Sequence, residues 1–162
     1  MPRRRPVRTN AGAVACLALL TSGCTAGAVD VARTDPGDDA AACERLVDAL
    51  PQTLADLERR DVDDAAATTA AAWGDPPIVL RCGVGEPASF DALSSCQITN
   101  GVAWYIPDEQ ITGRAVDITM TTIGREPGVE VRIPADYFPP AATMVGLAAP
   151  LTEHTEKVER CG

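Results

Sequence analysis

Ile78-Val79-Leu80-Arg81-Cys82-Gly83-Val84 sets Ile78, Leu80, Cys82 and Val84 on one side of an extended chain and Val79, Arg81 and Gly83 on the other. A period of two marks a half-buried strand, because successive side chains of extended backbone point to opposite faces. The pattern recurs downstream: Val102, Trp104 and Ile106 alternate with Ala103 and Tyr105, and Val116, Ile118 and Met120 with Asp117, Thr119 and Thr121. Val129, Val131 and Ile133 then alternate with Glu130 and Arg132. Between these last two runs lies Gly124-Arg125-Glu126-Pro127-Gly128, a turn-rich segment of hairpin length.

On either side the period lengthens. Leu46, Val47, Leu50, Leu54 and Leu57 recur at helical spacing through residues 43–60 (CERLVDALPQTLADLERR), which predicts an amphipathic helix kinked or restarted at Pro51. Residues 61–72 (DVDDAAATTAAA) lack a large apolar face and read as a loop or frayed helix. After Pro139-Pro140, Met144, Leu147, Leu151 and Val158 mark a second amphipathic helix, interrupted at Pro150. The expected fold is α+β and two-layered: a four-stranded, mainly antiparallel sheet with N- and C-terminal helices covering one face.

The N-terminus reads as a targeting signal. Arg3, Arg4, Arg5 and Arg8 form a basic region, and residues 11–20 (AGAVACLALL) an apolar one too short to span a bilayer. Leu20-Thr21-Ser22-Gly23-Cys24 resembles a lipobox, in which small residues precede a Cys that takes lipid and becomes the new N-terminus. The alternative is a secreted protein cut nearby, with Cys24 a spare thiol. The export route, general secretory or twin-arginine, stays open.

The expected divisions are residues 1–23 as a lipoprotein-type signal peptide, 24–42 as a flexible acidic tether, and 43–162 as a single domain. The tether has only Val29 and Val31 as large aliphatics, and such a chain would hold the domain on the order of 20 Å from the lipid.

Composition narrows the function. Hydrophobic residues make up 46% of the 162, but 27 are Ala and only six residues are aromatic, so the core is modest. Without the first 23 residues, ten basic groups face 23 acidic ones, a formal −13 that excludes a nucleic-acid backbone as partner. No run of 18 apolar residues is present.

Outside the cytoplasm, Cys43, Cys82, Cys96 and Cys161 are expected to pair, in one of three connectivities. Cys82 shares the core parity of Ile78 and Leu80 and points toward the helix that Cys43 begins. This favours Cys43 with Cys82 and Cys96 with Cys161; a Cys82–Cys96 bridge is the alternative.

Catalytic chemistry finds little support. His154 is the only His and sits in a polar helical stretch, which argues against a His-dependent triad. Gly83-Val84-Gly85-Glu86-Pro87-Ala88 fits a relaxed dinucleotide fingerprint, but Pro87 and the missing βαβ context make it a turn. Asp61, Asp63 and Asp64 lack the Gly and distal Glu of a calcium loop, and adjacent Asp108 and Glu109 read as exposed. Neither cofactor nor metal is expected.

If a ligand binds, the reading places it near Trp73, Asp75, Arg81, Arg125 and Arg132. Pro76 and Pro77 fix the backbone beside Asp75. Arg81 and Arg132 share the non-core face, and Arg125 lies in the hairpin turn, so together they would receive a carboxylate or phosphate. The competing reading pairs Arg81 and Arg132 with Glu130 and Asp117 and uses Trp73 to cap the core edge.

Residues 72–84 (AWGDPPIVLRCGV), Asn100-Gly101-Val102-Ala103-Trp104, Thr121-Thr122-Ile123-Gly124-Arg125 and residues 129–134 (VEVRIP) together resemble an actinobacterial family of exported proteins and lipoproteins, domain of unknown function 3515. The resemblance spans roughly residues 43–155. Ala103 departs from it, standing where that family has an Asp before the Trp. It implies an exported address but no activity. The favoured reading is therefore a non-enzymatic, lipid-anchored protein on the outer face of the cytoplasmic membrane, binding an envelope protein or wall component. The alternatives are a carboxylate-dependent hydrolase of envelope material and a small-molecule binding protein.

Overall fold

The structure, a computed structural model, describes residues 27–159 together with Met1 and Cys161. It corrects the expected α+β fold with a four-stranded sheet: the molecule is mostly β. Helix α1 (Ala40–Ala49) is followed by strands β1 (Thr53–Leu54), β2 (Leu57–Arg60), β3 (Ala70–Trp73), β4 (Ile78–Cys82), β5 (Gln97–Thr99) and β6 (Val102–Tyr105). Then come β7 (Ile118–Thr122), β8 (Arg125–Glu126), β9 (Val129–Ile133), helix α2 (Ala141–His154) and β10 (Glu156–Lys157). Eight strands form one antiparallel sheet in the order β1-β2-β3-β4-β9-β7-β6-β5, and β8 pairs with β10 in a second.

The four alternating segments are strands β4, β6, β7 and β9; the others lay in sequence that points elsewhere. The helix expected through residue 60 stops at Ala49, because Leu50 precedes Pro51 and takes the extended conformation (ψ 145°) that a following proline favours. Leu54 and Leu57, three apart as on a helix, instead face each other across a two-residue hairpin. Its turn residues, Ala55 and Asp56, both have positive φ (50° and 65°), the conformation of a type I′ turn, without the usual Gly or Asn.

Strand β3, expected as loop or frayed helix, is fully buried between β2 and β4. Alanine favours helix intrinsically, but here small side chains let both faces be covered. Ala71 and Trp73 enter the main core, and Ala70 lies under the N-terminal segment.

That segment was expected to be part of the tether. Its described portion packs on the domain: Val29 bridges Val62 in parallel, and Val31 is buried against Ala66 and Ala70. Two valines suffice because they meet alanines at close range.

Cys43, Leu46 and Val47 of α1 and Met144, Leu147 and Leu151 of α2 share one core with Trp73, Leu80, Trp104, Met120 and Val131. Both helices thus lie on one side of the sheet. Helix α2 continues through Pro150, and Val158 lies beyond it, exposed. Pro150 can make no bond to the carbonyl of Gly146. At Gly146 a Cβ would come 2.6 Å from Leu54 Cδ1, so the glycine lets α2 approach β1 closely.

Two disulfides tie the layers together. Cys43–Cys82 joins α1 to β4 with a Cα separation of 5.6 Å, and Cys96–Cys161 joins the approach to β5 with the C-terminal tail at 6.3 Å. No helix among the described residues is long and apolar enough to cross a membrane.

Candidate functional site

The face of the sheet turned away from the helices carries the polar residues, and strand register fixes who meets whom. Arg132 on β9 is flanked by Val79 on β4 and Thr119 on β7, while Glu130 on β9 is flanked by Arg81 and Thr121. The N-terminal segment lies over this face and forms one wall of a cleft of about 290 Å³, lined by Asp30, Val31, Arg81, Asp117, Thr119 and Arg132 among others.

The two arginines are held differently. Arg81 donates from Nη2 and Nε to Glu130 Oε1, at 2.7 and 3.2 Å, and both side chains are half-buried. Its charge is matched. Arg132 is exposed on the neighbouring strand and has neither an ion pair nor a side-chain hydrogen bond among the described residues. Asp117, considered above as its partner, instead accepts a hydrogen bond from the Ala135 N–H at 2.9 Å. A guanidinium keeps its charge across the accessible pH range and presents a planar fork suited to carboxylate or phosphate.

The other sequence-selected residues lie elsewhere. Trp73 is wholly buried; its Nε1 donates to Pro51 O at 2.9 Å, and the Arg59 guanidinium stands 5.8 Å from its ring. Asp75 is 83% exposed and lies 3.7 Å from Arg60. Arg125 is not an open turn residue: at 8% exposure it donates to Gly101 O, Thr155 O, Thr155 Oγ1 and Leu151 O. Burial lowers its pKa, as burial also lowers that of Arg59, which Asp48 partly opposes. Of the five expected ligand residues, the fold brings only Arg81 and Arg132 together. Cys24 lies outside the described residues.

The remaining motifs are structural where they are described. Asp63 accepts from the Val31 N–H at 2.8 Å and the Ala66 N–H at 3.2 Å, fastening the N-terminal segment to the loop before β3. Gly83 has φ +78°, and a Cβ there would meet Pro36 at 2.5 Å, so its glycine serves a close chain crossing. Asp108 and Glu109 open a 3₁₀ turn, and His154 ends α2 half-buried. Among the described residues no group of three or more His, Cys, Asp or Glu could hold a metal.

Sequence reasoning missed Asp30 and Val31 as cleft-forming residues. The available signal was the alternation of Val29 and Val31 around Asp30, two positions of strand-like period inside an otherwise polar stretch.

These features define a disulfide-stapled, mostly β domain with a cleft on the open face of its sheet, lined by two arginines and two aspartates. The chain matches the family described as Protein of unknown function (DUF3515) over residues 6–159 and belongs to it. No curated protein and no solved structure matches the chain.

Proposed function

We propose that this protein is a non-enzymatic, lipid-anchored binding domain of an actinobacterial cell envelope, exported to the outer face of the cytoplasmic membrane. Its cleft receives an anionic group of an envelope protein or wall component. One observation carries the reading: Arg132 presents an exposed guanidinium, without an ion pair among the described residues, at a cleft that Asp30 and Asp117 also line. An exposed guanidinium beside a concave surface offers an anion two parallel hydrogen bonds and a place to dock. Support for the address comes from the two disulfides, which form in oxidising compartments, and from the signal-like N-terminus ending at Cys24.

The test compares wild type with Arg132→Gln and Arg81→Gln for recovery of soluble wall fragments and envelope proteins, alongside thermal stability. Arg132→Gln is expected to keep the fold and lose at least tenfold in binding. Equal recovery by the stable Arg132→Gln protein would remove the cleft from the account.

A further inference from the structure

The described residues from Gly27 to the start of α1 are fastened to the domain at several points. Arg60 Nη2 donates to Gly27 O at 2.9 Å, the Val29 N–H to Asp61 O at 2.8 Å, and the Asp63 N–H back to Val29 O at 3.1 Å. The Val31 N–H donates to Asp63 Oδ2 at 2.8 Å, and Thr34 Oγ1 to Cys82 O at 2.6 Å. Val31 is 6% exposed, and Pro36 passes so close to Gly83 that no Cβ would fit there. Backbone pairing, a buried apolar side chain and a glycine crossing describe a docked segment, not a solvated coil.

We propose that residues 27–35 act as a strap that holds the lipidated domain close against the bilayer, with the corner formed by Gly27, Arg60 and Asp75 nearest the headgroups. The inference rests on the reading of Cys24 as the lipid-bearing residue. Only three residue steps separate Cys24 from Gly27, a reach of about 10 Å even when fully extended. A free tether running from Cys24 to Ala42 would place the domain on the order of 20 Å away and let it tumble. Because Asp30 and Val31 form a wall of the cleft, its mouth lies within six residue steps of the lipid, about 20 Å at most. The strap therefore keeps the cleft near the membrane surface, where a carboxylate or phosphate carried by a membrane-bound partner arrives first.

The full-length protein is extracted from membranes and its acyl mass measured. It is then reconstituted in phosphatidylcholine vesicles containing headgroup-dansylated lipid. Two readings follow: amide hydrogen exchange at Val29, Val31 and Asp63, and energy transfer to dansyl from Trp73 and Trp104, the chain's two tryptophans. The strap predicts exchange slowed at least tenfold relative to a free chain at all three amides. It also predicts transfer that falls at least twofold when twelve Gly/Ser residues are inserted between Ala26 and Gly27, ahead of every contact named above. Acyl mass with free-chain exchange at Val29 and Val31 overturns the strap while leaving the anchor. Acyl mass with transfer unchanged by the insertion overturns the close seating. Absence of acyl mass overturns the anchor and the seating together, whatever the exchange shows.

Discussion

Replacing Arg125 with Met removes a buried cation that no carboxylate neutralises among the described residues. Its partners lose unequally. Leu151 O still accepts from the Thr155 N–H at 3.0 Å and from Thr155 Oγ1, and the exposed Gly101 regains water at its carbonyl. Thr155 O is left without its donor in a buried position. One orphaned buried acceptor costs about 1–3 kcal/mol. Loss of a positive charge beside the C-terminus of α2 adds roughly 0.3–1 kcal/mol. Relief of the arginine's own desolvation offsets part of this. The net expectation is destabilisation by about 2 kcal/mol, a fall in melting temperature on the order of 5–10 °C. Arg125→Lys should restore part of it, since an ammonium offers three donors but no planar fork. Urea unfolding of both variants, with Arg132→Met as the exposed control, decides the matter. An Arg125→Met midpoint equal to that of wild type would refute the scaffold role, and with it the carbonyl cluster at the end of α2.

Non-reducing peptide mapping should recover Cys43 linked to Cys82 and Cys96 linked to Cys161; a linked Cys82–Cys96 peptide would contradict this. With sequence separations of 39 and 65 between the partners, replacing either pair by Ala should cost about 4 kcal/mol in the chain-entropy model, read by denaturant unfolding. Gly128→Ala should destabilise by roughly 1–3 kcal/mol, because the new Cβ would collide with the Val84 carbonyl. Glu130→Gln should cost roughly 1 kcal/mol by weakening the half-buried cross-strand pair with Arg81, and thermal melts check both substitutions. Hydrogen bonds from the Leu93 N–H and the Ser94 side chain hold the Asp91 pKa below its ordinary value. Its contribution to the loop is therefore present above the unfolded pKa and lost as pH falls through the lowered folded value; an NMR titration giving an ordinary pKa would contradict it.

The strands legible from sequence were those whose large apolar residues alternate with polar or small ones. Strand β9 is an example: Val129, Val131 and Ile133 are buried, while Glu130 and Arg132 reach toward water. Strand β3 has no such contrast, because all four of its residues are buried and three are alanine, so neither periodicity nor propensity marks it. The β1–β2 hairpin was hidden for a different reason. Leu54 and Leu57 satisfy helical spacing as well as a two-residue turn, and Pro51 ends the helix that would have used them. Half of the candidate site was readable, since Arg81 and Arg132 share the face that strand parity assigns to them. The rest depended on long-range packing. Trp73 joined the core that β4 and α1 share, Arg125 was covered by α2, and the wall at Asp30 and Val31 exists because Val31 packs on Ala66 and Ala70 and is held by Asp63.

The cleft is tested most directly by following the guanidinium and amide NMR signals of the folded protein during titration with soluble wall fragments. The account predicts that the Arg132 Nε resonance and the amides of Thr119 and Val31 shift together and saturably, and that Arg132→Gln abolishes the shifts without altering the rest of the spectrum. Saturable shifts confined to other surfaces, such as the exposed edge at Ile98, or shifts that persist in Arg132→Gln, would contradict it.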